Sequence, residues 1–329
     1  MSSSIGISRG IYKNGLARRV VRWMDAMAHP PLAIEIAHDR IAGVRWTRHG
    51  HIADLAIEAL PSASIVPSAL ETNMSDVKAV ADAFSKIATR LKASDEDVAL
   101  LLPDSVIRVF IQHFDEFPRS AQQALPLLRW KLKKSVPFPA EEMLISYTVQ
   151  PSRESGVDVV AALSRDRIIR EYDALAATVN LRAGIVLSSS LAAVSLLEGE
   201  KPALMARISD SVLTTAIVRD GILCGYRCTE LPVSINDLTP AIFLDEIFPV
   251  AAYFQDTWQE SVQSVLISGL GARLPEFVPP LETEFRCKVE SLLVSATSDG
   301  LVPDFARPLV DEDLHGLVGW MLNHEEVSK

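Results

Sequence analysis

Cysteine is scarce in this chain, with three in 329 residues, so no even set of disulfide bridges can staple the fold. Cys224 and Cys228 stand four apart in a stretch that reads as a strand, which places them on one face. None of the seven histidines is close to them, so they read as packing thiols of a reducing compartment and no metal site is expected. Positive charge is also short. Thirty-two Lys and Arg against 42 Asp and Glu leave a net charge of −10, which excludes a whole-surface nucleic-acid binder; no nucleic-acid partner is expected. No run approaches the roughly 20 apolar residues of a membrane span. The N-terminus has no signal core of about 7–15 apolar residues with a small-residue cleavage site. Cytoplasmic residence is the expectation.

What is present is an ordinary globular composition, 48% hydrophobic and 22% charged, long enough for one large or two medium domains. The first thirty residues differ from the rest. Residues 12–28 interleave Lys13, Arg18, Arg19 and Arg22 with Leu16, Val20, Val21, Trp23, Met24 and Met27. On a helix these sort partly into a basic and an apolar face, as in a helix lying on a membrane surface or docking on its own domain. Pro30-Pro31 ends the segment in either case.

Two segments of equal length, 31–61 and 202–232, align without gaps. In that frame Pro31 meets Pro202, Asp39 meets Asp210, Arg48 meets Arg219, Gly50 meets Gly221, and Leu60-Pro61 meets Leu231-Pro232. Each reads as three strands joined by tight turns, which implies two related lobes. Elsewhere apolar periodicity predicts helices over 75–91 (capped by Ser75), 120–134, 165–179, 188–197, 313–323 and 243–258, the last interrupted near Pro249. Strands are predicted over 98–102, 107–113, 143–150, 157–163 and 265–268. Strands alternating with helices give an α/β fold of sheets covered by helices.

No residue pattern announces catalysis. Ser188-Ser189-Ser190 lacks a nucleophile elbow and a placed histidine, and His38-Asp39 are neighbours in a turn. Asp82, Glu141, Glu142, Asp245 and Glu246 read as solvated helix faces. No catalytic residue is expected.

Three motifs, in order, resemble the PilM family, the actin-like, FtsA-related cytoplasmic components of type IV pilus assembly. They are Arg129-Trp130-Lys131 with Val136-Pro137-Phe138-Pro139-Ala140-Glu141-Glu142, the 159–172 strand–helix unit, and Ser268-Gly269-Leu270-Gly271-Ala272-Arg273-Leu274-Pro275. The resemblance implies a two-lobed actin-like fold with duplicated β-sheet subdomains, a small inserted subdomain and a shortened second lobe. The boundaries follow as a basic segment 1–30, a first lobe of 31–102 and 164–201, an insertion at 103–163, a second lobe at 202–310 and a C-terminal helix at 311–329. It also implies a role as a scaffold peripheral to the inner membrane. There the cleft between the insertion and the first lobe would take the cytoplasmic N-terminal peptide of a PilN-like membrane protein, with Phe110, Phe117 and Trp130 as candidate lining. A pilus motor ATPase is a further implied partner.

The same resemblance implies ATP with Mg²⁺ between the lobes, and here the chain departs from the pattern. Glu35 and Ala37 stand where the family has aspartate and glycine, and Arg207 stands where it has the metal-side aspartate. Ser209 falls on the glycine of the second turn, with Leu213 and Thr214 replacing its threonine and second aspartate, while Gly269 and Gly271 persist. A cation opposes Mg²⁺ binding, and a bare glycine turn is explained by its backbone alone. The expectation is therefore a degenerate cleft at Glu35, Ala37, Ser209, Gly269 and Gly271, no cofactor and no hydrolysis. A nucleotide-binding actin-like ATPase that switches conformation is the alternative, and a GspL-like component of type II secretion is the third reading.

Overall fold

A computed structural model describes residues 30–47, 51–197 and 199–327 of the chain, with side chains to 322. The basic segment 12–28 and the matched Arg48 and Gly50 lie outside the described residues.

The first lobe opens with a meander of β1 (Leu32–Ile36), β2 (Arg40–Trp46) and β3 (Ile52–Ala59). Helix α1 (Val77–Arg90) then leads to β4 (Asp97–Leu102), which joins β1 in parallel. Strand β4 is apolar and buried from Val98 to Leu102, as a parallel strand covered on both faces must be. Asp76 rather than Ser75 caps α1, its carboxylate accepting from the Ala79 N–H.

An insertion follows: β5 (Arg108–Phe114), α2 (Ala121–Leu132), β6 (Met143–Pro151) and β7 (Val157–Arg165). Its three strands form a separate sheet in the order β5-β7-β6, closed by α2 over Leu128, Leu132, Phe138 and Val159. Helix α3 (Asp166–Ala177) and β8 (Arg182–Ser188) return to the first sheet, completing the order β3-β2-β1-β4-β8. A short helix, α4 (Ser189–Ala193), starts directly from the end of β8.

The second lobe repeats this plan. A meander of β9 (Ala203–Ser209), β10 (Val212–Arg219) and β11 (Ile222–Glu230) is followed by α5 (Pro240–Trp258) and β12 (Ser264–Ser268). Then come α6 (Leu274–Phe285), β13 (Lys288–Ser291) and α7 (Leu292–Ser298), giving the sheet order β11-β10-β9-β12-β13. The chain closes in α8 (His315–Val327), whose Leu317, Val318, Trp320 and Met321 are buried between the lobes.

The two meanders confirm the duplication and correct its frame. Leu32 pairs with Arg45 in the first, and the equivalent pair in the second is Leu204 with Ile217. Both lobes then carry a bulge at the matching step, between Arg45 and Trp46 and between Ile217 and Val218. The first two strands are therefore offset by one residue from the gapless alignment, and the extra residue lies in the turn between β2 and β3. His38, not Asp39, is the counterpart of Asp210, and Glu35 is the counterpart of Arg207.

The bulge also separates the two cysteines. It adds a residue to β11, so Cys224 packs towards α5 while Cys228 lies opposite Thr214, facing the first lobe. Burial raises both thiols to about 12. Helix α5 is continuous through Pro249, because Phe243, Ile247, Val250 and Phe254 hold it against the sheet despite the missing N–H.

Candidate functional site

The strand ends of the two sheets converge on a buried polar cluster between the lobes. Glu35 stands one residue before the end of β1, and Arg207 is its register equivalent in β9; each is 8% exposed. Asp104 follows β4 at the entrance to the insertion and is 3% exposed. The Arg207 guanidinium donates to Asp104 Oδ2 at 3.2 Å, to Ser190 Oγ at 2.9 Å and to Glu35 Oε1 at 3.4 Å. One cation from the second lobe thus meets a carboxylate of the first lobe and another at the root of the insertion.

Neutral donors complete the arrangement. Asp104 accepts from the Ser190 N–H at 2.8 Å, from the Ser190 hydroxyl, and from Thr214 Oγ1 at 3.0 Å. Glu35 accepts from the Ser189 hydroxyl. Buried charges need this degree of pairing, since an ion stripped of water and left without partners is costly. The second oxygen of Glu35 has no hydrogen bond and lies against the α8 backbone at Gly316, where any Cβ would stand 3.1 Å from the carboxylate. Next to it His315 is buried, with Nδ1 3.0 Å from the Asp313 carbonyl. Burial lowers its pKa to about 4, and the Arg207 charge pushes the same way against the opposing pull of Asp313. Tyr226, buried beside Ser188, is raised well above its usual value by burial.

Of the residues expected to form a degenerate cleft, Glu35 belongs to this cluster and the other four lie in nearby turns and strand ends. Ala37 opens the first hairpin turn, its N–H donating to the Arg40 carbonyl. Ser209 ends β9 and lines a cavity of about 50 Å³ with Pro103, Asp104 and Asp210. Drug-sized ligands occupy pockets of roughly 300–1,000 Å³. Across its mouth His38 Nε2 of the first hairpin stands 3.7 Å from Asp210 of the second. Gly269 has φ +91° and approaches the Ile208 carbonyl so closely that a Cβ would collide with it, whereas Gly271, at φ +52°, faces open space. Thr214 contributes its hydroxyl to Asp104, while Leu213 is core.

Of the three aromatic candidates, Phe110 and Phe117 both pack on the core of the insertion, and Trp130 stands apart. Phe110 lines a cavity shared with the second lobe, Phe117 packs on Phe114 and Tyr147 within the insertion, and Trp130 is 66% exposed on α2. Asp104, Ser189, Ser190 and His315 were not singled out as partners in the sequence. The triple serine was visible, but only as a failed nucleophile, because nothing local shows that two of its hydroxyls face carboxylates more than 80 residues away.

Two sheets of identical topology, an insertion after the fourth strand and a polar cluster between the lobes define an actin-like α/β fold. Solved structures agree. The chain is similar to the PilM–PilN type IV pilus biogenesis complex, with TM-score 0.67 and 15% identity over 91% of this chain and 98% of that one. It is also similar to a Bacteroides thetaiotaomicron protein with an actin-like ATPase fold, with TM-score 0.50 and 10% identity over 81% and 92%. No family model matches the sequence, and no curated protein matches it. At these identities the likeness concerns the fold.

Proposed function

We propose that this chain is a non-catalytic scaffold of a type IV pilus or related secretion assembly, acting on the cytoplasmic face of the inner membrane. In this reading it holds the N-terminal peptide of a PilN-like membrane protein and gives a motor ATPase a fixed surface to work against. The observation that carries the non-catalytic half is Arg207. Its guanidinium lies between Glu35 and Asp104, so the strand-end acids between the lobes are already neutralised by the protein's own cation. Mg²⁺ held by carboxylates would have to displace that cation.

The partner half rests on likeness of fold to a protein solved together with PilN. No helix among the described residues is long and apolar enough to cross a membrane, so attachment in this reading falls to partners and to the basic segment 12–28.

Titration of the full chain with Mg²⁺–ATP by calorimetry and by thermal shift tests the first half. The expected result is no saturable heat and no rise in Tm. Micromolar binding, with Tm rising as ligand concentration rises, would favour a nucleotide-switched ATPase instead.

A further inference from the structure

A second cavity lies away from the polar cluster, on the side of the insertion that faces the second lobe. It has a volume of about 720 Å³. Residues 109–113 of β5 form one wall and residues 223–227 of β11 another. Consecutive residues, rather than every second one, line it along both strands. That pattern belongs to a strand edge, because the face of a strand presents alternate side chains. Among the described residues both strands are terminal: β5 pairs only with β7, and β11 only with β10. At about 3.3 Å per residue the trough runs about 16 Å along the two edges.

These edges already attract hydrogen-bonding groups. In an antiparallel strand the N–H and C=O of one residue point the same way, alternately towards and away from the partner. The Ile111 carbonyl accepts from Gln112 Nε2 at 3.0 Å, and the His113 carbonyl from Lys131 Nζ at 2.7 Å. Two flexible side chains thus occupy carbonyls spaced two residues apart on the outer edge of β5. The edge of β11 is met at one end by β6: the buried Gln150 amide bonds both backbone groups of Leu223, donating to its carbonyl at 2.8 Å and accepting from its N–H at 3.2 Å. That contact is what one residue of an added strand would make.

The rest of the lining is mixed: Ser152, Arg153, Glu154 and Asp158 of the β6–β7 hairpin are polar, and α5 adds an apolar side. Pro249, Tyr253 and Trp258 of α5 border the trough, and Tyr253 is 68% exposed. A helix brings no free main-chain groups to such an edge, and a compact ligand leaves most of its length unused. An extended chain matches the two-residue repeat, and its alternate side chains can lie against the apolar side of α5 or the polar hairpin residues.

We propose that the trough between the edges of β5 and β11 binds an extended peptide segment of a partner protein as an added strand on β5. The surface faces the second lobe rather than the first, so the inference goes beyond the scaffold reading and does not depend on it.

The test uses the full-length chain and a displayed library of random peptides of about ten residues, enough to span the trough with flanks. Selected peptides are expected to slow amide exchange at Val109, Ile111 and His113. N-methylating alternate peptide residues should weaken binding by at least about tenfold for one set and much less for the other. Ile111→Pro removes an outward N–H, a position where an edge strand tolerates proline, and is expected to weaken binding similarly. The N-methyl comparison stands even if that variant does not fold. Recovery of no peptide, indifference to N-methylation, exchange unchanged along β5, or occupation by a second copy of the chain would overturn the proposal.

Discussion

Arg207 sits where three parts of the chain meet, and its removal leaves Glu35 and Asp104 buried without their cation. Arg207→Met is expected to cost about 3–5 kcal/mol in urea unfolding, the usual consequence of breaking a buried ion pair from one side. Adding Glu35→Gln and Asp104→Asn should recover part of the loss, because the orphaned charges go with them. His315 gives a prediction in pH. Its pKa is lowered to about 4 by burial, from the ordinary 6.5 of a free imidazole. Between those values the unfolded chain binds the proton and the folded chain does not, so stability is intact above pH 6.5 and declines as pH falls towards 4. The slope approaches about 1.4 kcal/mol per pH unit. His315→Gln should flatten that limb of the unfolding profile. Arg207 was legible in the sequence as a misfit with a family pattern. Its partners were not, since Asp104 is an ordinary acid after a proline until the fold brings it within 3.2 Å of the guanidinium.

At the scale of elements, the two glycines of the 268–275 turn do different work. Gly269 lets the turn after β12 pass directly over the Ile208 carbonyl, and Gly271 only supplies a left-handed bend in open space. Gly269→Ala is expected to lower Tm by many degrees or prevent folding, while Gly271→Ala should cost about 1 kcal/mol, the ordinary penalty of a side chain in that conformation. Thermal melts of the two variants side by side check this. Strand and helix positions were largely readable because apolar runs and periodicity mark them. The exceptions have physical causes. Pro279 and Pro280 disguise α6 as a loop, β13 is four residues long, and β8 carries Gly184 in its middle. The bulge that turns Cys224 away from the face of Cys228 leaves no mark in composition.

Across the whole molecule the duplication was visible from turn residues and a shared Leu-Pro close, yet its frame slipped by one residue over the first two strands. Identities such as Asp39 with Asp210 drew the alignment to the wrong register, and only the strand pairing corrects it. In the correct register Glu35 and Arg207 occupy the same place in the two lobes and face each other. Related positions that bear the same charge would repel across the cleft and call for a counterion. Opposite charges at those positions supply one another's partner.

The partners of Arg207 are Glu35, Asp104 and Ser190, spread across two lobes and the root of an inserted subdomain. Contacts so far apart in the chain close only after the sheets they join exist. They should therefore be absent from the rate-limiting barrier and present only in the finished fold. In stopped-flow measurements Arg207→Met is expected to accelerate unfolding and leave the refolding rate nearly unchanged. On this view the central ion cluster governs how long the assembled protein lasts rather than how quickly it forms.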